Sequence, residues 1–228
     1  MSDQQLASTT PQTPGFRMIR TLGAIAMLSG LLVVLVFQYT KPIIAENQRI
    51  AIEKAVLTVV PGASRRVDIL LGENGMAVPG GDNGANEKVY VAFDDEGQLK
   101  GVALASGAQG YQDIVKLLYG YDPECSCIRG IKILKMTETP GLGDKIAFDP
   151  AFLNNFEALD AGLNATGDAL AHAIVAVKSG KKHNAWEVDS ISGATISSVA
   201  VAKALDRSMQ RMAPLIQRYK VELMRAGR

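Results

Sequence analysis

Two short strings hold the residue types that could do chemistry. The first is Asp189-Ser190-Ile191-Ser192-Gly193-Ala194-Thr195, followed by Ile196-Ser197-Ser198, and it stands immediately before a helical pattern. Taken alone, such a turn is most often a helix cap, its hydroxyls accepting hydrogen bonds from the unpaired amides of the first turn. The same residues also suit an anion. Glycine lets the backbone approach closely, and a helix start offers oriented N–H groups at the positive end of its dipole, so a phosphate would be welcome there. The second string, Glu138-Thr139-Pro140-Gly141-Leu142-Gly143-Asp144-Lys145, is a turn. Pro140 fixes one backbone angle while Gly141 and Gly143 permit angles that other residues avoid, so the chain can bend against a flat ligand.

The elements that must position these strings follow from hydrophobic period. After Ser198, the residues Val199, Ala202, Leu205, Met209, Met212, Ile216, Tyr219 and Leu223 fall on one helical stripe, with Lys203, Asp206, Arg207 and Gln210 on the other side. Pro214 is expected to kink this helix. The region 63–136 has a different period: RRVDILL, KVYVAF, LKGVALA, DIVKLLY and IRGIKILKM are short β-branched runs separated by Gly, Asn and Asp turns, and they predict strands, several of them antiparallel. AFLNNFEAL (151–159) predicts a short helix, and ALAHAIVAV (169–177) a strand or a helical turn. Strands followed by segregated helices define an α+β domain.

Between Arg20 and Lys41 the run TLGAIAMLSGLLVVLVFQYT carries no charge. Its length of about 20 residues matches a hydrocarbon core of about 30 Å. A cleaved signal peptide would have a shorter apolar region ending in a small-x-small site. Here the run ends in Phe37, Gln38 and Tyr39, so an uncleaved anchor is expected. The chain then divides into a cytoplasmic tail (1–20), a transmembrane helix (21–40), a stalk helix (41–62) stopped by Pro61-Gly62, and one domain (63–228) with its core motif region at about 98–207. Arg17 and Arg20 before the span, against Lys41 and Arg49 after it, lean weakly towards an inside amino terminus.

The 228 residues carry a formal net charge of +1, with Lys and Arg spread along the chain, which argues against a nucleic-acid partner. Glycine is plentiful at 22 residues and densest in 72–110 and 139–143, where it reads as turns and loops, and a polar Gly/Asn stretch occupies 79–86. No GxGxxG string follows a strand, so no dinucleotide site is expected. Cys125 and Cys127 are too few for a metal centre within one chain. Two small residues at a hairpin tip, a labile disulfide, and a ligand set shared with a partner all stay open for them. Tyr111 and Trp186 are lone aromatics that could approach a flat ligand, although such residues are more often packed in the core or on the surface. Lys178, Lys181 and Lys182 around Gly180 read as a solvated turn.

Asp-x-x-Ser-Gly-Ala-Thr at 189–195 resembles the flavinylation motif of the FMN-binding domain found in the G subunit of Rnf-type ion-translocating complexes and the C subunit of the sodium-pumping NADH:quinone reductase. Glu138–Lys145 is similar to the ETPGLGDK signature of the same family, and the tight ETPGLGDKI and the chain length look more like the Rnf protein. The tail 1–16 and the segment Tyr121–Cys127 depart from the family pattern. The resemblance implies FMN joined through its phosphate to Thr195 by a flavin transferase, with Asp189, Ser192, Gly193, Ala194, Glu138, Thr139 and Leu142 at the cofactor. No catalytic residue and no resident metal are implied. It also implies an electron carrier in the inner membrane, its flavin domain extracytoplasmic, beside other membrane and iron–sulfur subunits. A free-standing membrane-anchored sensor with the same cofactor, and a cofactor-free structural anchor, are the competing expectations.

Overall fold

The computed structural model describes residues 15–73, 75–77 and 87–227. Most of the expected cytoplasmic tail and the polar stretch 79–86 lie outside the described residues. The chain divides into two compact units, 1–49 and 50–228. In the first unit one helix, α1 (Gly15–Val59), begins and carries the uncharged run. That run is long and apolar enough to cross a membrane, and none of it is buried in protein. The expected transmembrane and stalk segments therefore belong to one helix, with Pro42 inside it.

The second unit takes in the last turns of α1 and a seven-stranded antiparallel sheet in the order β2-β1-β3-β4-β5-β6-β7. The strands are β1 (Arg65–Gly72), β2 (Gly75–Ala77), β3 (Glu87–Phe93), β4 (Leu99–Gln109), β5 (Ile114–Asp122), β6 (Cys127–Lys135) and β7 (Leu159–Asp160). All five runs expected as strands are strands. The connections between β3, β4, β5 and β6 are short, so each strand lies beside its neighbour in sequence. After β6 come a 3-10 turn (Gly143–Ala147), the short helix α2 (Pro150–Leu153) and a second 3-10 turn (Asn154–Phe156). Asp149 caps α2 by accepting from the amides of Ala151 and Phe152. Two small strands, β8 (Val175–Val177) and β9 (Glu187–Asp189), pair in parallel and lead into α3 (Thr195–Arg218) and α4 (Lys220–Arg225).

Period-two alternation gives the sheet two buried faces. Val89, Val91, Phe93, Val102, Leu104, Leu117, Tyr119 and Tyr121 join the main core with α3, whose expected stripe, from Ala202 through Ile216, is buried there. The Tyr119 hydroxyl donates to Ser208 Oγ (2.7 Å), and Ser106 Oγ donates to the Ala204 carbonyl (2.8 Å), fixing the helix along the sheet. The other face, with Tyr90, Ala92, Ala103 and Leu118, is covered by Ala55, Val56, Val59 and Val60 at the end of α1. Pro214 sits within α3, which continues to Arg218. The polar side of α3 is not all solvated: Asp206 accepts from the Ile174 amide (2.9 Å) and Gln210 from the Leu170 amide (3.2 Å), which lays the 170–174 segment along the helix.

Candidate functional site

The first turn of α3 starts without the cap that its sequence offers. The residue before the helix, Ala194, has no side chain able to cap, and Gly193 turns the chain at φ +83°. Ser198, inside the helix, stabilises the turn instead, donating to the Ala194 carbonyl (3.0 Å) and accepting from the Ile191 amide (3.1 Å). The amides at the start of α3 have no intrahelical partner. Thr195 is exposed and is the first helical residue, and its hydroxyl makes no hydrogen bond among the described residues. The Ser-Gly-Ala-Thr turn therefore places no side-chain cap on α3, and the Thr195 hydroxyl is left free.

The second string packs against this turn. Leu142 N–H donates to the Thr139 carbonyl (3.1 Å) across Pro140 and Gly141, and Gly141 takes φ +78°, the angle that a type II turn asks of its third residue. Gly143 is needed for a different reason from the one its sequence suggests. It shows no positive φ, but a Cβ there would lie 2.6 Å from Glu138 Oε2 and 2.7 Å from Ser197 Oγ. Its requirement is space, not an unusual angle.

Between the two strings opens a half-open cavity of about 410 Å³, lined by Tyr111, Glu138, Thr139, Leu142, Gly143 and the stretch from Gly193 to Ser197. Of the residues expected at the cofactor, Thr195, Gly193, Ala194, Glu138, Thr139 and Leu142 meet here. Ser192 and Asp189 do not line the cavity. The Asp189 carboxylate accepts from the amides of Gly180 (2.7 and 3.0 Å) and Lys181 (3.3 Å), so it closes the 178–181 turn. Tyr111, for which packing was the favoured expectation, lines the cavity, and so does Ser197, which was not among the residues expected at the cofactor. Neither has a local signal, since each enters through a contact with Glu138, from positions 27 and 59 residues away.

Other groups lie elsewhere. Trp186 stacks on His172 with ring centroids 3.8 Å apart. Lys178 and Lys181 are exposed, whereas Lys182 is half-buried and donates to Asn155 Oδ1 (3.2 Å); burial pushes its ammonium below the usual lysine range. Cys125 and Cys127 form a disulfide at the tip between β5 and β6, across Ser126 at φ +54°. A larger hollow of about 910 Å³ is lined by Arg65, the 94–99 turn and Glu124. Its lining is mainly polar and it has no free hydroxyl at a helix start, so the smaller cavity is the candidate site.

The antiparallel sheet, the long helix behind it and a cavity at the helix start make this an FMN-binding domain carried on an apolar helix, and residues 110–210 match the FMN-binding domain family. The chain belongs to the family of G subunits of ion-translocating oxidoreductase complexes. It is 30% identical over 189 residues to the G subunit of the ion-translocating oxidoreductase complex of Escherichia coli K12, covering 82% of this chain and 86% of that one. It is 32% identical over 124 residues, 54% of each chain, to the G subunit of the Na(+)-translocating ferredoxin:NAD(+) oxidoreductase complex of Acetobacterium woodii. The crystal structure of Shewanella oneidensis NqrC shares the fold at a TM-score of 0.60 and 19% identity, covering 78% of this chain and 98% of that one.

Proposed function

We propose that this chain carries electrons as a single-pass subunit of a membrane-bound, ion-translocating oxidoreductase complex, through FMN joined by a phosphoester to Thr195. The observation that supports it is the free Thr195 hydroxyl at the start of α3, opening on a cavity whose other wall is the Glu138–Lys145 loop. The residues present fit the group. Unpaired amides at the helix start suit a phosphate. Leu142, Ile196 and Tyr111, exposed at the cavity, offer apolar and aromatic surface to a flat ring. The volume lies within the range of about 300–1,000 Å³ usual for small-molecule sites.

When bound, FMN supplies one- and two-electron chemistry at its isoalloxazine ring. The chain supplies placement. Thr195 fixes the phosphate end, the first turn of α3 neutralises it, and Leu142 and Ile196 keep water from part of the cavity. A tether through the phosphate leaves the ring free to exchange electrons with fixed neighbours. Those neighbours are the other membrane and iron–sulfur subunits, and a flavin transferase acts on Thr195 during maturation. The domain stands on the outer side of the inner membrane, with the amino terminus inside and α1 in contact with lipid.

The test is in-gel flavin fluorescence of the full chain made together with the transferase. Wild type keeps a fluorescent band after denaturation, and Thr195→Ala runs colourless, lighter by one FMN residue beyond the side-chain change. Because Thr195 is exposed and unbonded, the substitution changes stability by less than about 0.5 kcal/mol. A fluorescent Thr195→Ala band, or a modified peptide mapping to Ser192, Ser197 or Ser198, refutes the acceptor. A colourless wild type in the presence of the transferase refutes the covalent carrier.

A further inference from the structure

We infer that Glu138 is a positioning residue with an electrostatic role: its carboxylate pins together the three segments that wall the cavity, and its charge holds down the reduction potential of the flavin. The inference rests on the proposed function. Glu138 is 7% exposed and is the only buried acidic or basic side chain among the described residues. Oε1 accepts from the amides of Tyr111 (3.0 Å) and Gln112 (3.4 Å), in the turn between β4 and β5. Oε2 accepts from Ser197 Oγ (2.5 Å), two residues past Thr195 on the first turn of α3. One side chain thus ties its own loop to both other walls.

The niche is built for a carboxylate. A Cβ on Gly110 would collide with Oε1, and one on Gly143 would lie 2.6 Å from Oε2, so the glycines on both sides make its room. All three partners are donors. A carboxylate offers acceptor-only oxygens to all three, whereas a glutamine could serve the two amides with its carbonyl only by turning its NH2 to Ser197, whose hydroxyl would then have to accept instead of donate. The Gln112 side chain adds a further tie, donating to Thr139 Oγ1 (3.1 Å) on the opposite wall.

Such a group is costly to bury, and holding loops together does not require a charge. What a charge adds is a field. A fixed negative charge in the cavity wall, largely removed from water, is weakly screened. It opposes the negative charge that reduction brings to a flavin ring and so lowers the midpoint potential. Ser197, which shares the tie without the charge, separates the two contributions.

The experiment is a spectroelectrochemical titration of the flavin in the full-length chain in detergent, for wild type, Glu138→Gln, Ser197→Ala and Tyr111→Lys. Glu138→Gln is expected to shift the midpoint potential positive. Ser197→Ala, which keeps the charge, is expected to shift it clearly less, although both substitutions lower the melting temperature. Tyr111→Lys keeps the backbone amide bonded to Glu138 and brings a positive charge to the exposed rim, so its shift is also positive; it carries the test if Glu138→Gln does not fold. An unchanged potential in Glu138→Gln with flavin retained overturns the inference, as does an equal shift in Ser197→Ala, or no shift in Tyr111→Lys if Glu138→Gln does not fold. Loss of the fluorescent denatured band in wild type sinks only the threonine ester, and the same titration is then read on the non-covalently held flavin.

Discussion

Gly120→Ala tests how the end of α1 is seated on the sheet. Gly120 lies in β5, paired with Ala103 of β4 and Gly130 of β6, on the face that Val59 and Val60 cover. A Cβ at Gly120 would collide with the Val59 carbonyl oxygen, and would stand 2.7 Å from its carbonyl carbon and 3.0 Å from Val60 Cγ2. Carbon atoms rest at about 3.5–4.0 Å, so backbone must retreat by about 1 Å. Overpacking of this kind costs about 1–3 kcal/mol, and backbone yields less readily than a side-chain tip. Lifting Val56, Val59 and Val60 away altogether would forfeit about 1.5–3 kcal/mol for each, so partial retreat is the cheaper response. The methyl group also relieves the entropic penalty of glycine in a strand, about 0.5–1 kcal/mol in the opposite sense. The collision wins, because backbone and not a side-chain tip is hit, leaving a net loss of up to about 2.5 kcal/mol. For a domain of this size that lowers the melting temperature by roughly 5–10 °C. Circular dichroism of the full chain in detergent reads it. At Gly130 the nearest atom to an added Cβ is Val59 Cα at 3.3 Å, a contact that a small shift relieves. Gly130→Ala should therefore cost less. A Gly120→Ala chain that melts at or above wild type, or below which Gly130→Ala falls, refutes the reasoning.

Replacing Cys125 and Cys127 with Ser removes a disulfide that closes a loop of sequence separation 2, so the loop-entropy contribution lost is small, roughly 1–2 kcal/mol, and covalent flavin per chain stays at the wild-type level by in-gel fluorescence. Loss of flavin from a folded variant would show that the hairpin tip matters for the site. Gly143→Ala drives a methyl group between Glu138 and Ser197, and is expected to cost about 1–3 kcal/mol and to lower flavin per chain; a thermal melt and absorbance at wild-type values would refute the close approach. Glu187 accepts from the amides of His183 and Asn184 and from the Asn184 side chain, which hold its carboxyl down to about 2 from an ordinary value of 4.5. A depressed carboxylate stabilises the fold above its unfolded value, and that contribution is lost as pH falls through the folded one. The stability difference between wild type and Glu187→Gln should therefore be constant above 4.5 and vanish by about 2. A difference that does not change across that interval refutes the assignment.

By itself the sequence determined the elements. Alternation in KVYVAF and LKGVALA specifies strands with two faces, the stripe from Val199 to Ile216 specifies α3, and an uncharged run from Thr21 to Thr40 specifies an apolar helix, because each signal repeats within a few residues of itself. Both chemical strings were legible for the same reason: glycine, proline and hydroxyl residues act on the backbone next to them. Tertiary structure alone decided which distant groups meet. It sent Asp189 to the 180–181 amides instead of to the cavity, tied Ser198 back to the 191–194 turn, and brought Tyr111 and Ser197 to Glu138. It also gave Gly120, Gly130 and Gly143, which carry no turn angle, their requirement for empty space. A residue's neighbours across a sheet or against a helix are set by register and packing, summed over the whole core, and no string of adjacent residues encodes that sum.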